Sequence, residues 1–440
     1  KMSSRNQSIA GNLDWWLMAG YLFLVFFGWI NIYSASYSEE HASIFDFSAE
    51  QGKQFMWICI SLGIGFFLFL FDTKFFHAFS FFIYGLVLVS LVLVLIFGQT
   101  VAGNKSWFVI TSSIKIQPSE FAKFATALVL ARVMGYNKFS FTPGLTAGNR
   151  FKLLGIPFHI TKDGMLSILL VIIPAILILM ENDTGTTLVF LSFFLAFFRF
   201  GFNWIFLIIG VISIIVFFTA ILYPIGFVLA ALALLGLIAF GFMRNLIGGW
   251  KIIVLLLVFF TGLTLTVKPI YNNVLKEHHR KRIMVLLGKE KDMKGSGWNV
   301  NNSKMAIGSG GVLGKGFLKG SLTKLKYVPK QHTDFIFSTV GEEWGFWGSA
   351  GLVLIYLFFI MRLVAAAERQ RSMFNKVYGY CVACIMFFHF FMNIGTAVGL
   401  APAVGIPLPL VSYGGSSLMG FTLLIWVFMK LDSQNLQILR

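Results

Sequence analysis

Residues 203–243 read NWIFLIIGVISIIVFFTAILYPIGFVLAALALLGLIAFGFM and contain no Asp, Glu, Lys or Arg. They divide into two apolar runs, 203–223 and 226–243, each close to the roughly 20 residues an α-helix needs to cross about 30 Å of hydrocarbon. Helix is the form that satisfies every backbone group within such a segment. On either side, further apolar runs lie near 13–35, 55–71, 75–97, 119–135, 165–181, 185–200, 249–267, 346–364, 377–400 and 415–430. The chain therefore reads as an all-α polytopic integral membrane protein with about twelve transmembrane helices. Composition agrees: 57% of the 440 residues are hydrophobic and 12% are charged, with a mean hydropathy of +0.81, which excludes a soluble domain.

A formal charge of +17 fits nucleic acid, anionic lipid headgroups or a phosphorylated substrate. In a membrane chain the last two are favoured, so membrane lipids are expected partners and nucleic acid is not. Cys59, Cys381 and Cys384 all fall in apolar runs, and the CxxC of the last two has no second ligand pair. They read as helical thiols rather than a zinc or redox site. Orientation follows from Lys and Arg in short loops. With a cytoplasmic N-terminus, Lys74, Arg132, Lys138, Arg150, Arg199, Arg362, Arg369 and Lys376 fall inside, and both termini are cytoplasmic. The acidic segment Ser38–Gln51 and the long interval 268–345 then fall outside. That interval is basic, against the pattern, but long loops translocate largely regardless of charge.

Within it lies KMAIGSGGVLGKGFLKGSLTKLKYVPKQHTDFIFSTVGEEW, Lys304–Trp344, with six lysines before its first acid, Asp334. Its glycines suit a backbone that turns sharply and approaches something closely. It is not a nucleotide loop: a Walker A motif fails at Ser309 and Gly316, and GxGxxG fails at Leu313. An extracytoplasmic basic surface beside a bilayer suits a lipid-linked phosphate or pyrophosphate; the plainer reading is a solvated face drawn to anionic lipid. Asp334 stands just before an apolar run, where the ordinary role of Asp is an N-cap.

Three further places stand out. Gln117-Pro118-Ser119-Glu120 is a helix start, and Glu120 and Lys123 share one face of the fourth run. They form either a cap with a local ion pair or a functional pair at membrane depth, where charge is costly. Glu181–Thr186 is a tight turn in which Asp183 is either a turn former or a site residue. Pro402–Ser417 is rich in Pro and Gly in apolar context, which reads as irregular backbone buried in protein or lining a cavity.

Taken in order, these segments resemble the SEDS family of peptidoglycan glycosyltransferases, whose RodA and FtsW branches serve bacterial shape and division. The resemblance rests on IYSAS (Ile32–Ser36), KSWF with IQPSEFAK (Lys105–Lys123), NDTGT (Asn182–Thr186), HRKRI (His279–Ile283), GSGWNVNNSKMAIGSGG (Gly295–Gly311), HTDFIF (His332–Phe337), GEEWG (Gly341–Gly345) and PLPLVSYGGSS (Pro407–Ser417). It covers most of the chain and is closer to the RodA branch. The chain departs from the family at Glu181, Asn182 and Thr184, in a turn that usually reads QPDLGT, and at His278-His279, where Tyr-Gln is common. The family typically has ten spans, so a single SEDS-type domain over 1–440 with an inserted hairpin near 226–268 is expected.

The resemblance implies polymerisation of lipid II, an undecaprenyl-pyrophosphate-linked disaccharide-peptide, during cell-wall elongation at the bacterial inner membrane, with the site outside. It implies Asp334 as catalytic general base, and Glu120, Lys123, Asp183, Arg280, Arg282, Lys304, Lys315, His332, Thr333 and Ser412 as substrate contacts. A divalent cation (Mg or Mn) could share the leaving-group charge. A class B penicillin-binding transpeptidase is the implied partner. His389, in the eleventh run, reads as a satisfied core histidine. Two competing classes fit the same spans: a flippase of the lipid-linked precursor and a noncatalytic scaffold for a penicillin-binding protein.

Overall fold

The computed structural model describes residues 12–39, 43–101, 103–111, 114–136, 141, 161–243, 249–274, 277–287 and 296–439. In chain order its elements are α1 (Trp15–Ser36), α2 (Glu50–Leu68), α3 (Thr73–Phe97), β1 (Gln99–Val101), β2 (Asn104–Val109), β3 (Lys115–Ile116), α4 (Pro118–Met134), α5 (Lys162–Met180), α6 (Thr184–Val189), α7 (Ser192–Arg199), α8 (Trp204–Leu222), α9 (Ile225–Met243), α10 (Gly249–Pro269), a π-helical turn (Ile270–Val274), α11 (Glu277–Leu286), α12 (Ser296–Ser309), α13 (Ser321–Lys324), α14 (Ile336–Glu368), α15 (Met373–Ala397) and α16 (Gly415–Leu439). Among the described residues nine helices are long and apolar enough to cross a membrane: α1, α3, α5, α8, α9, α10, α14, α15 and α16. The remaining apolar runs of the sequence fall on α2, on α4 and on the broken pair α6–α7.

The chain forms two units. The larger comprises Lys1–Phe139, Leu166–Ala196 and Val285–Arg440, and the smaller Ser140–Met165 and Phe197–Met284. In the smaller unit α8 and α9 each pack on α10. Arg280 of α11 folds back on the π-helical turn, its guanidinium donating to the Asn272 carbonyl at 3.3 Å.

The larger unit is built around α4, which packs on α3, α15 and α16. Its sequence shows why. Ala122, Ala125, Ala127 and Ala131 are all buried, and small residues let neighbouring backbones approach closely. A helix buried all round has no polar face to spare, so the charges it carries must find partners inside. The antiparallel strands β1, β2 and β3 lead into its N-terminus, and Lys105 N–H of β2 donates to the Glu181 carbonyl at 3.0 Å.

The structure corrects one boundary. The sequence places an irregular loop up to Gly345, with a span beginning at 346, yet α14 is helical from Ile336 and every residue from Ile336 to Glu343 is buried. The two helical stretches meet at Gly345, with φ 65° and ψ −159°, a backbone conformation that only glycine adopts readily. Hydropathy misses the first stretch because its polar groups are matched by protein rather than by water.

At the end of the unit remote from Asp334, the helix termini are tied by charge. Asp14 caps α1 through the Leu17 amide and accepts from Arg362 at 2.8 Å and Arg369 at 2.7 Å, and Arg369 also pairs with buried Asp432 of α16. Burial pushes the Asp14 carboxyl up, but the two guanidiniums and the Leu17 amide together hold it below the usual carboxylate value. A carboxylate with a depressed folded value adds stability that is whole above its unfolded value, about 3.9, and is lost as pH falls through the folded one. Thermal unfolding of the parent is therefore expected to shift downward below about pH 4. Asp14→Asn should flatten that dependence; an identical acid slope in the two proteins would remove Asp14 from the account.

Candidate active site

Asp334 lies in the turn that leads into α14, with its side chain 19% exposed and Lys330 Nζ at 3.9 Å. The N-cap position of α14 is Phe335, one residue after Asp334. Its turn is fixed by backbone bonds from distant segments. Ser412 Oγ donates to the Thr333 carbonyl at 2.6 Å, Tyr413 N–H to the His332 carbonyl at 2.9 Å, and Asn393 Nδ2 to the Asp334 carbonyl at 2.8 Å. Gly405 lies against the carboxylate itself: a Cβ there would stand 3.6 Å from Asp334 Oδ2.

His332 Nε2 is 3.2 Å from Glu50 Oε2 at the start of α2, and its ring meets Tyr413 edge-on. Burial pushes the imidazole below its ordinary value; Glu50 and Asp334 pull it up, and Lys326 and Lys330 press it down again. The net lowering leaves His332 neutral at pH 7. Glu50 was not among the residues the sequence singled out, and nothing local in the acidic segment that contains it distinguishes it.

A second cluster lies inside the bundle. Lys123 Nζ is 2.7 Å from Glu120 Oε2 and 3.0 Å from His389 Nε2, and it sits 4.6 Å from the centre of the Phe421 ring. Glu120, Lys123 and His389 are buried. The Glu120–Lys123 pair is thus not a solvent-exposed one, and His389 is a core histidine with both ring nitrogens partnered, one of them by Lys123. Asp183 caps α6 through the Thr186 amide at 3.0 Å, as a turn former would. It also accepts from Thr186 Oγ1 at 2.8 Å, Gln117 Nε2 at 2.7 Å and Ser119 Oγ at 3.3 Å. Gln117, the N-cap residue of α4, spends its side chain on Asp183 and leaves its own helix uncapped. Beside it, both carboxyl oxygens of buried Glu181 lack a hydrogen-bond partner among the described residues, and burial with the nearby Asp183 charge pushes this carboxyl up to about 8. It is therefore protonated at neutral pH, which suits a group with no donor to match a charge.

The segment 404–407 joins the two clusters. His389 Nδ1 lies 3.1 Å from the Pro407 carbonyl, and Asn393 Nδ2 donates to both the Ile406 and Asp334 carbonyls. On the other side α6 comes close to the same segment at Gly185, where a Cβ would meet the Val404 carbonyl oxygen at 2.6 Å. The Pro- and Gly-rich stretch is thus irregular backbone packed against protein, with Ile406, Leu408, Leu410 and Val411 buried and Gly405 exposed. His389 and Asn393, four apart on α15, share a helix face. Two polar residues at that spacing inside an apolar run are the signal that could have found them.

The cations divide. Lys304, on α12, is exposed and lies against Gly399 at the end of α15. Lys326 and Lys330 are exposed beside His332. Lys315 is turned away from them: its Nζ is 2.6 Å from Glu342 Oε1 and also reaches Ser309 and Ser321. Arg280 and Arg282 belong to the smaller unit, where Arg280 packs on its own π-helical turn. Among the described residues no three His, Cys, Asp or Glu side chains are grouped to hold a metal ion.

Fold and site together define a multi-pass helical membrane protein with one carboxylate turn, and a buried polar network behind it, at a single end of its larger unit. The chain belongs to the FtsW/RodA/SpoVE family, described as cell cycle proteins, which matches residues 15–233 and 229–437. It is 32% identical over 339 residues to the peptidoglycan glycosyltransferase MrdB of Escherichia coli (strain K12), covering 77% of this chain and 73% of that one. It is 30% identical over 448 residues to the peptidoglycan glycosyltransferase RodA of Treponema pallidum (strain Nichols), covering 97% and 98%. A solved structure described as "Structural coordination of polymerization and crosslinking by a peptidoglycan synthase complex" superposes with TM-score 0.68 at 24% identity, over 97% of this chain and 99% of that one. The rod shape determining protein RodA of Thermus thermophilus does so with TM-score 0.56 at 22% identity, over 96% and 97%. At those identities the two structures speak for the fold alone.

Proposed function

We propose that this chain is a RodA-like peptidoglycan glycosyltransferase that polymerises lipid II, with Asp334 as general base. The observation that carries the reading is the half-buried carboxylate of Asp334, on a turn whose carbonyls accept from the Asn393 and Ser412 side chains, with exposed Lys330 beside it. In the reaction the acceptor sugar's 4-hydroxyl gives its proton to the Asp334 carboxylate as its oxygen bonds to C1 of the donor sugar. The bond from C1 to the pyrophosphate oxygen breaks, and the electron pair leaves with the pyrophosphate. Attack opposite the leaving group inverts C1 and needs one base only. Lys330, Lys326 and Lys304 offset the charge that develops on the departing diphosphate. The buried Glu120–Lys123–His389 and Asp183 cluster keeps segment 404–407, and with it the wall of the Asp334 turn, in place.

The same reading puts both termini in the cytoplasm and Asp334 outside. Its support is that Lys74, Arg132, Arg362, Arg369, Arg371 and Lys376 gather at the end of the larger unit remote from Asp334. Helices α9 and α10 are then the inserted pair, and a class B penicillin-binding transpeptidase the partner.

Purified protein in vesicles, given labelled lipid II, is expected to yield glycan strands that a muramidase degrades. Transfer of lipid II across the bilayer with no strand formed would replace this reading with a transporter.

A further inference from the structure

The family resemblance makes Lys315 a candidate substrate contact, and the structure pairs it with Glu342. Glu342 is fully buried, and each of its carboxylate oxygens is shared. Oε1 accepts from Lys315 Nζ at 2.6 Å and from Leu322 N–H at 2.9 Å; Oε2 accepts from Thr323 N–H at 2.8 Å and Thr323 Oγ1 at 2.7 Å. The Thr323 carbonyl in turn accepts from Gln331 Nε2 at 2.8 Å, and Gln331 stands three residues before Asp334. On the other side of Asp334, the buried helical stub that begins at Ile336 ends at the Gly345 break. There the glycine-rich loop meets the backbone groups that the break leaves without helical partners. Lys315 and Gly316 N–H donate to the Glu342 and Glu343 carbonyls at 3.0 and 2.9 Å, and Phe346 N–H donates to the Gly311 carbonyl at 3.0 Å. What these glycines approach closely is α14 itself.

Between the two anchors the chain is strained: Lys326 and Lys330 have φ of 52° and 55°. Such residues persist only where the surroundings hold them. Glu342 is two helical turns from Asp334, roughly 12 Å along the axis, too far to share its proton.

We propose that the Glu342–Lys315 pair is a positioning device for Asp334: it anchors the loop before the carboxylate and the helical stub after it, and it does not touch the substrate. The inference rests on the glycosyltransferase reading for its kinetic consequences and on geometry alone for its structural ones. Glu342→Gln and Lys315→Met are expected to lower kcat about 10–100-fold, because a misplacement near 1 Å costs that much, with KM for lipid II nearly unchanged. Lys315→Arg, which keeps the charge, should restore most of the rate. In the same proteins amide exchange in 326–335 should quicken while that around Asp14 stays at the parent rate; global unfolding would raise both.

A rise in KM with kcat and exchange unchanged in Lys315→Met would make Lys315 a substrate contact and overturn the proposal. So would parent kcat and parent exchange in Glu342→Gln. If the parent itself forms no strands, the catalytic reading falls. The device then stands on the exchange result alone, supported by local quickening and overturned without it.

Discussion

Asp334→Asn is expected to reduce strand formation from lipid II by about 10²–10⁴-fold, the range a positioned general base contributes. The substitution is nearly isosteric, and the parent carboxylate is partly exposed, so the unfolding temperature should stay close to that of the parent. KM should also stay near the parent value, because the lysines that meet the diphosphate remain. Neutralising Lys330 instead should lower kcat, because its charge offsets the one that develops on the departing diphosphate. The comparison is made on one gel of glycan products with parent and variants at matched folded concentration. Strand formation at the parent rate in Asp334→Asn would remove the base from the mechanism.

Lys123→Met carries the largest expected loss of stability. Its ammonium is buried between Glu120 and His389 and stacks on Phe421. Taking one member from a buried ion pair strands the other charge and costs about 3–5 kcal/mol. Glu120→Gln in the same chain should return much of that loss, since a neutral pair of similar shape needs no counter-charge. The pair thus predicts a strongly non-additive double-mutant cycle in thermal unfolding. Activity should fall with the single variant even at temperatures where it is folded, because His389 bonds to the Pro407 carbonyl beside the Asp334 turn. Additive losses in the cycle would mean that Glu120 and Lys123 are not coupled as their 2.7 Å separation requires.

Much of the fold was legible because it is written locally. Each apolar run carries its own instruction to become a helix, since a spanning segment must satisfy its backbone within itself. The α4 start was legible for the same reason: Pro118 at its first turn and the Glu120–Lys123 spacing need no other part of the chain. The Asp334 turn could be picked out as the first acid after six lysines and by its resemblance to HTDFIF. The stub Ile336–Trp344 was missed because Glu342 and Glu343 break the apolar pattern. Their partners, Lys315, Thr323 and Ser34, come from other elements.

By itself, then, the sequence determined a polytopic helical protein, the order of its spans and the identity of its acid at the turn, all properties of windows of about twenty residues or fewer. Only the tertiary structure decided what each charge does: that Lys123 meets His389 266 residues away, that Gln117 serves Asp183, and that Lys315 faces Glu342 instead of the lysine-lined turn. The physical reason is that a charge buried in a low-dielectric interior is governed by whatever donor or counter-charge packing brings to it. No local pattern encodes that partner.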